Sequence, residues 1–144
     1  MTNSSEQVQP VADEPFANSQ NVSPRSIRDI IADLSKPLAQ RHLRTRKQGG
    51  HDLVYLEWHT AVKYLDLFAP GWSYHVESVQ LVGPLVTVIA SISIPCAEGV
   101  VTRQATGCEE VEARGHGDVV SNAEEMALKR AASKFGLGLY LYQK

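Results

Sequence analysis

From Trp72 to Cys108 the apolar residues recur at nearly every second position, and that period constrains the architecture of this chain more than any other feature. Val86, Val88, Ala90, Ile92 and Ile94 alternate with Thr87, Ser91 and Ser93, the pattern of a strand with one face on a core and the other open. Val82-Gly83-Pro84 and Glu98-Gly99 are turn sequences on either side of it. Before the first turn, Trp72, Tyr74 and Val76 share one face and Val79 and Leu81 the other, so the phase slips near Ser78 and predicts a bulge. After the second turn, Val101, Arg103 and Ala105 alternate with Thr102, Gln104 and Thr106 up to Cys108. Three consecutive strands joined by short turns make an antiparallel meander, whose apolar face must be covered by another layer.

A helix to cover it follows directly. Ser121 with Glu124 three residues on reads as a capping box, and Gly136 supplies a left-handed stop. At about 100° per residue, Ala123, Ala127, Leu128, Ala131, Ala132 and Phe135 fall on one half of this helix, while Lys129, Arg130, Ser133 and Lys134 fall on the other. Upstream, Ser23-Pro24 reads as an N-cap and first helical position, with Ile27, Ile30, Ile31 and Leu34 at helical spacing until Pro37. Leu53 to Leu56 reads as a short strand, and Trp58, Ala61, Val62, Leu65 and Phe68 as an amphipathic helix stopped at Pro70-Gly71. The expected fold is therefore α+β: a three-stranded antiparallel meander plus a short extra strand, packed by a long C-terminal helix and a preceding helix.

Residues 1–22 are rich in Ser, Asn, Gln and Pro without periodicity and are expected to be a disordered polar tail, leaving 23–144 as one core domain. Glu109 to Val120, with Gly115-His116-Gly117, is expected to be a loop between meander and helix. The longest apolar run, Leu85 to Ile94, is interrupted by Thr and Ser and is far short of the ~20 residues of a membrane span. With no basic region ahead of an apolar stretch, the expected location is cytoplasmic, beside the nucleoid in a bacterium. Cys96 and Cys108 lie in neighbouring strands that would permit pairing, but read as two reduced core thiols.

The net charge of −2 hides an asymmetry. Glu6, Asp13 and Glu14 lie in the tail, which has no Lys or Arg, so the remainder carries +1. Within it Arg41, Arg44, Arg46 and Lys47 form a basic run, read as a loop, just before Gly49-Gly50. Together with Lys129, Arg130 and Lys134 they are the candidate sites for a polyanion, although helix cations also complement the helix dipole. His51, Asp52, Glu57 and His59 are a compact set of possible hard-metal ligands, which a metal-dependent nuclease would need. A purely structural assembly module is a further alternative. Trp58, Trp72, Tyr55, Tyr74, Tyr140 and Tyr142 are at core spacing or available for stacking on bases, Tyr140 and Tyr142 being the more open. No phosphate-cradling Gly-x-x-x-x-Gly-Lys-Ser/Thr motif and no nucleophile motif is present, so no cofactor is called for.

Several of these residues form a recognisable series: Gly49-Gly50-x-x-x-x-Tyr55-Leu56-Glu57, then Phe68-x-x-Gly71-Trp72-Ser73, then Ala127-Leu128-Lys129-Arg130-Ala131 followed by Lys134-Phe135-Gly136. The series resembles the single-strand annealing proteins of the Rad52/Rad22 type over roughly residues 27–142, and looks closest to short bacterial DdrA-like members. The resemblance implies an oligomeric ring that holds single-stranded DNA in a basic groove, takes part in repair by recombination, and is not an enzyme. By motif position it implies that Lys129, Arg130 and the Arg44–Lys47 run line that groove. Ser133 and Ser121 stand where the family often has Arg and Lys, and Lys134 is expected to substitute for the first.

Overall fold

The computed structural model describes residues 24–112 and 118–143. The expected tail, the expected cap Ser23, and Gly115-His116-Gly117 lie outside the described residues.

Helix α1 spans Ile27–Leu34, strands β1 and β2 span Leu43–Gln48 and His51–Leu56, and helix α2 spans Trp58–Phe68. Strands β3 (Ser73–Val82), β4 (Leu85–Cys96) and β5 (Gly99–Glu110) follow, then helix α3 (Val119–Ser133). The meander is present as predicted, an antiparallel sheet in the order β3-β4-β5. Its bulge is at the predicted place, the β3–β4 register shifting between Val76 and Ser78. Val86, Val88, Ala90, Ile92 and Ile94 are all buried beneath α3 and its neighbours, so alternation read the sheet's inner face correctly.

The helix side of that contact is made of Ala123, Ala127, Leu128, Ala131, Ala132 and Phe135, every one buried as expected. The alanines matter because of what they meet. A Cβ placed on Gly107 of β5 would stand 2.1 Å from the Ala123 carbonyl oxygen and 2.6 Å from the Ala127 nitrogen. The helix backbone thus lies directly on the strand, a distance only glycine below and alanine above permit.

Two expectations about α3 need correction. The helix starts at Val119, capped by Asp118, whose carboxylate accepts from the Val120 amide at 3.0 Å. Ser121 donates its hydroxyl to that same carboxylate, and Glu124 accepts the Tyr74 phenol at 3.0 Å instead of closing a capping box. The earlier start allows Val119 to pack against the Val88–Ala127 cluster. Ser133, expected among the cations, is buried and donates to the Arg130 carbonyl at 2.7 Å. Gly136 does take the left-handed conformation, at φ +106°.

Helix α1 also starts later than Ser23-Pro24 suggests. Its cap is Ser26, whose hydroxyl accepts from the Asp29 amide at 3.1 Å. Arg25, just ahead of it, donates to Asp33 at 2.5 Å and to the Phe68 carbonyl at 3.4 Å, tying the start of α1 to the end of α2. Partial burial works against the Asp33 charge, but hydrogen bonds from Arg25 and Lys36 outweigh it and hold the carboxyl below its ordinary value. Leu34, Leu65, Ile92, Ile94 and Phe135 are the large side chains fully enclosed where the two helices, the sheet and α3 meet.

The largest correction concerns the basic run. Expected as a loop before one short strand, Leu43–Gln48 is itself a strand, and it pairs with β2 from Leu43↔Leu56 to Gln48↔His51. Gly49 (φ +60°) and Gly50 (φ +81°) form the two-residue turn, both positive as a type I′ hairpin demands. The cysteines are free. Cys96 pairs with Gly99 and Cys108 with Thr87, placing them at opposite ends of β4, and only Cys96 is fully buried.

Candidate functional site

The hairpin register decides which cations act together. Arg44 stands opposite Tyr55 and Arg46 opposite Leu53, and because alternate pairs share a face, these four residues occupy one side of the hairpin. Lys129 reaches the same place from α3. The Arg46 guanidinium carbon lies 5.2 Å from the centroid of the Tyr55 ring, and the Lys129 Nζ lies 5.4 Å from it. Two cations from elements more than 80 residues apart in sequence are thus gathered on one aromatic side chain.

Around this group a cleft of about 770 Å³ opens between the hairpin, the start of α2 and α3, and Arg130 also lines it. That volume falls within the ~300–1,000 Å³ typical of ligand sites. Burial in the cleft pulls the Lys129 ammonium below its ordinary pKa; Glu125 opposes this, Arg46 adds to it, and Glu57 opposes it. Among the described residues neither Arg46 nor Lys129 has a carboxylate within ion-pair distance. Their mutual repulsion therefore favours any anion that enters.

The remaining expected site residues are placed differently. Arg44 is ion-paired to Glu57 at 3.4 Å and also donates to the Arg41 and Leu43 carbonyls. Lys47 pairs across the hairpin with Asp52 at 3.0 Å, and Arg41 is exposed in the tight turn Gln40–His42 at the hairpin's base. Arg130 donates to the Thr106 carbonyl at 3.1 Å while lining the cleft. Lys134 donates to the Gln104 carbonyl at 2.6 Å and does not line the cleft. Position 133 itself is enclosed, its serine being 7% exposed. Arg130, and Lys134 at the C-cap of α3, thus both cover backbone carbonyls of β5, an edge strand of the sheet.

His51, Asp52, Glu57 and His59 do not converge. The first two lie at the hairpin's turn, the latter two at its base, and among the described residues no group of three or more His, Cys, Asp or Glu is placed to hold a metal. Most aromatic side chains are committed to the fold: Trp72 donates to Asp66 at 2.7 Å, Tyr74 to Glu124, and the Tyr140 oxygen accepts from the Leu38 amide at 3.0 Å. Burial, then the Glu124 hydrogen bond and charge, push the Tyr74 phenol well above its ordinary pKa. Arg103, half-buried, is likewise engaged within the fold, 4.9 Å over the Phe135 ring and donating to the Lys134 carbonyl. Arg114 lies outside the described residues. The central role of Tyr55 was not apparent from spacing alone; pairing the two arms through Gly49-Gly50 would have placed it beside the arginines.

A family model described as "Rad52/22 family double-strand break repair protein" matches residues 26–144. The chain is 35% identical over 122 residues to DNA repair RAD52-like protein 1, mitochondrial, of Arabidopsis thaliana, covering 83% of this chain and 69% of that protein. It is 30% identical over 135 residues to DNA repair RAD52-like protein 2, chloroplastic, of the same plant, covering 91% and 67%. The likeness found runs to plant organellar proteins and not to the bacterial DdrA-like members that the sequence pattern suggests.

Proposed function

Because the chain belongs to the Rad52/22 family of double-strand break repair proteins, we propose that it binds single-stranded DNA and anneals complementary strands without ATP. The observation that carries this reading is the gathering of Arg46 and Lys129 at the Tyr55 ring inside an open cleft. Two cations that, among the described residues, have no carboxylate within ion-pair distance suit the phosphates of a backbone, and no base edge need be read to hold it. Binding is then indifferent to sequence. The strand's base edges stay open to a complement, which is the condition for annealing.

One cleft with so few cations binds weakly, so the same proposal includes a homo-oligomeric ring that joins many clefts into a groove. On β3, an edge strand, Val79, Leu81 and Val82 are more than half exposed and offer an apolar surface to a neighbouring copy. The protein acts as a binder in DNA repair and recombination and carries out no bond-breaking step. A cytoplasmic, nucleoid-associated location belongs to the same proposal; among the described residues no helix is long and apolar enough to cross a membrane.

Mixing the protein with two complementary oligonucleotides, no nucleotide cofactor added, is expected to speed duplex formation well above the spontaneous rate. Light scattering on the same sample is expected to give a mass of many chains. A monomer that leaves the annealing rate unchanged in dilute buffer would remove the proposal.

Lys129 also predicts a pH dependence. Its free-state pKa lies below the ordinary 10.5, chiefly through burial, and a bound phosphate favours the ammonium form. Binding therefore takes up a proton once pH climbs into the range of that lowered value, and affinity falls as pH rises through it. Lys129→Arg, charged throughout, is expected to flatten this decline; parallel titration curves for the two proteins would contradict the assignment.

A further inference from the structure

We infer that Trp58 and Tyr142 are base-stacking platforms of the cleft, making it selective for the unpaired bases of a single strand over a bare phosphate backbone. This rests on the DNA-binding reading above and deepens it. Trp58 is the first residue of α2 and is 42% exposed; Tyr142 ends the last tight turn, Leu139–Tyr142, and is 53% exposed. Both line the cleft that holds Arg46, Lys129 and Arg130.

Their environment differs from that of Trp72, Tyr64, Tyr74 and Tyr140. The indole of Trp72 and the phenols of Tyr64, Tyr74 and Tyr140 are hydrogen-bonded within the fold, to Asp66, His42, Glu124 and the Leu38 amide. Among the described residues no such bond is made by the Trp58 indole or the Tyr142 hydroxyl, and Trp58 has only an edge contact with His59, at 5.8 Å between centroids. A single exposed ring is unremarkable. Two on the wall of one cationic cleft match a polymer whose charge repeats beside flat, apolar faces.

Charge complementarity fixes the occupant as a polyanion, and the rings specify the kind. Stacking uses the faces of bases, tolerates any sequence and leaves their edges free, so it adds hold without blocking pairing. A duplex, whose bases are already stacked inside, cannot use such platforms without being opened.

The test compares an oligo-dT with an abasic oligonucleotide of equal length, at one salt concentration, by fluorescence anisotropy and by tryptophan emission. The intact protein is expected to bind oligo-dT on the order of tenfold or more tighter than the abasic strand, with emission quenched by oligo-dT alone. In Trp58→Ala/Tyr142→Ala both strands are expected to bind equally, near the abasic affinity of the intact protein. Equal affinities in the intact protein, a comparison that needs no variant, would overturn the stacking role and leave the cationic hold standing. Discrimination that survives in the double variant would overturn it too. So would a Trp58 emission component that acrylamide cannot reach before DNA is added, since a second copy of the chain would then cover the ring. Failure of both strands to bind in dilute salt would remove the DNA-binding reading together with this one.

Discussion

Gly107→Val is expected to lower the stability of the fold by more than ~3 kcal/mol, enough to unfold a marginal domain at moderate temperature. Overpacking usually costs ~1–3 kcal/mol because flexible side chains give way. Here nothing flexible stands in the path: the added Cβ meets the Ala123 carbonyl and the Ala127 amide of the α3 backbone. The helix must lift from β5, and lifting it also separates the strand from Ala105's enclosed neighbours. Gly107→Ala, with one carbon in place of three, is expected to lose less but still more than a typical surface change. Thr106→Val, on the exposed face of the same strand, is expected to stay within about 0.5 kcal/mol of the parent. Denaturant unfolding of the three variants checks the order, and a parent-like midpoint for Gly107→Val would show that α3 does not sit on the strand this closely. Because Lys129 rides on α3, the same displacement disturbs the cleft.

Removing the two gathered cations is expected to have the largest effect on function. Arg46→Ala with Lys129→Ala takes away two charge-assisted phosphate contacts, each worth ~1.5–3 kcal/mol. At about 1.4 kcal/mol per tenfold, single-strand affinity should fall by on the order of a hundredfold or more, and further where a ring multiplies the contacts. Neither residue belongs to the buried core, so the variant is expected to keep its fold. Arg44→Ala with Lys47→Ala removes the same formal charge, yet those two cations already face Glu57 and Asp52. Its affinity loss is expected to be clearly smaller. Equal losses in the two double variants would mean that net charge, and not the cleft, holds the strand.

The contrast between these pairs could not have been drawn from the sequence. The meander was legible because its central strand alternates without a break, and the covering face of α3 because small residues recur at helical spacing. Both patterns report burial, which is what a core needs. The hairpin's first arm buries almost nothing, so Leu-Arg-Thr-Arg-Lys-Gln offers no apolar alternation and reads as loop. Its strand character comes from the Gly49-Gly50 turn, which can adopt the positive φ angles at both positions, and from its partner. Missing that pairing also hid the register that puts Arg46 on the Tyr55 face and Lys47 on the other, and the Glu57 carboxylate that engages Arg44. The misplaced cap has a similar cause: Ser121 and Glu124 fit a local template, but Asp118 captures the helix start and Tyr74, distant in sequence, captures Glu124. The helix wheel sets Lys129, Arg130 and Lys134 on one half, but within that half Arg130 and Lys134 turn to the carbonyls of β5 and only Lys129 reaches the Tyr55 ring.

In the function proposed above, a cleft between the hairpin and α3 holds a DNA backbone through Arg46 and Lys129. The most direct measurement of that hold is the salt dependence of single-strand binding, plotted as the logarithm of affinity against that of salt concentration. Each contacted phosphate contributes a slope of roughly −0.7 for single strands. Arg46→Ala/Lys129→Ala is expected to make the slope shallower by about 1.4 for each cleft engaged, two contacts at that value. A variant whose slope and affinity both match those of the parent would contradict it.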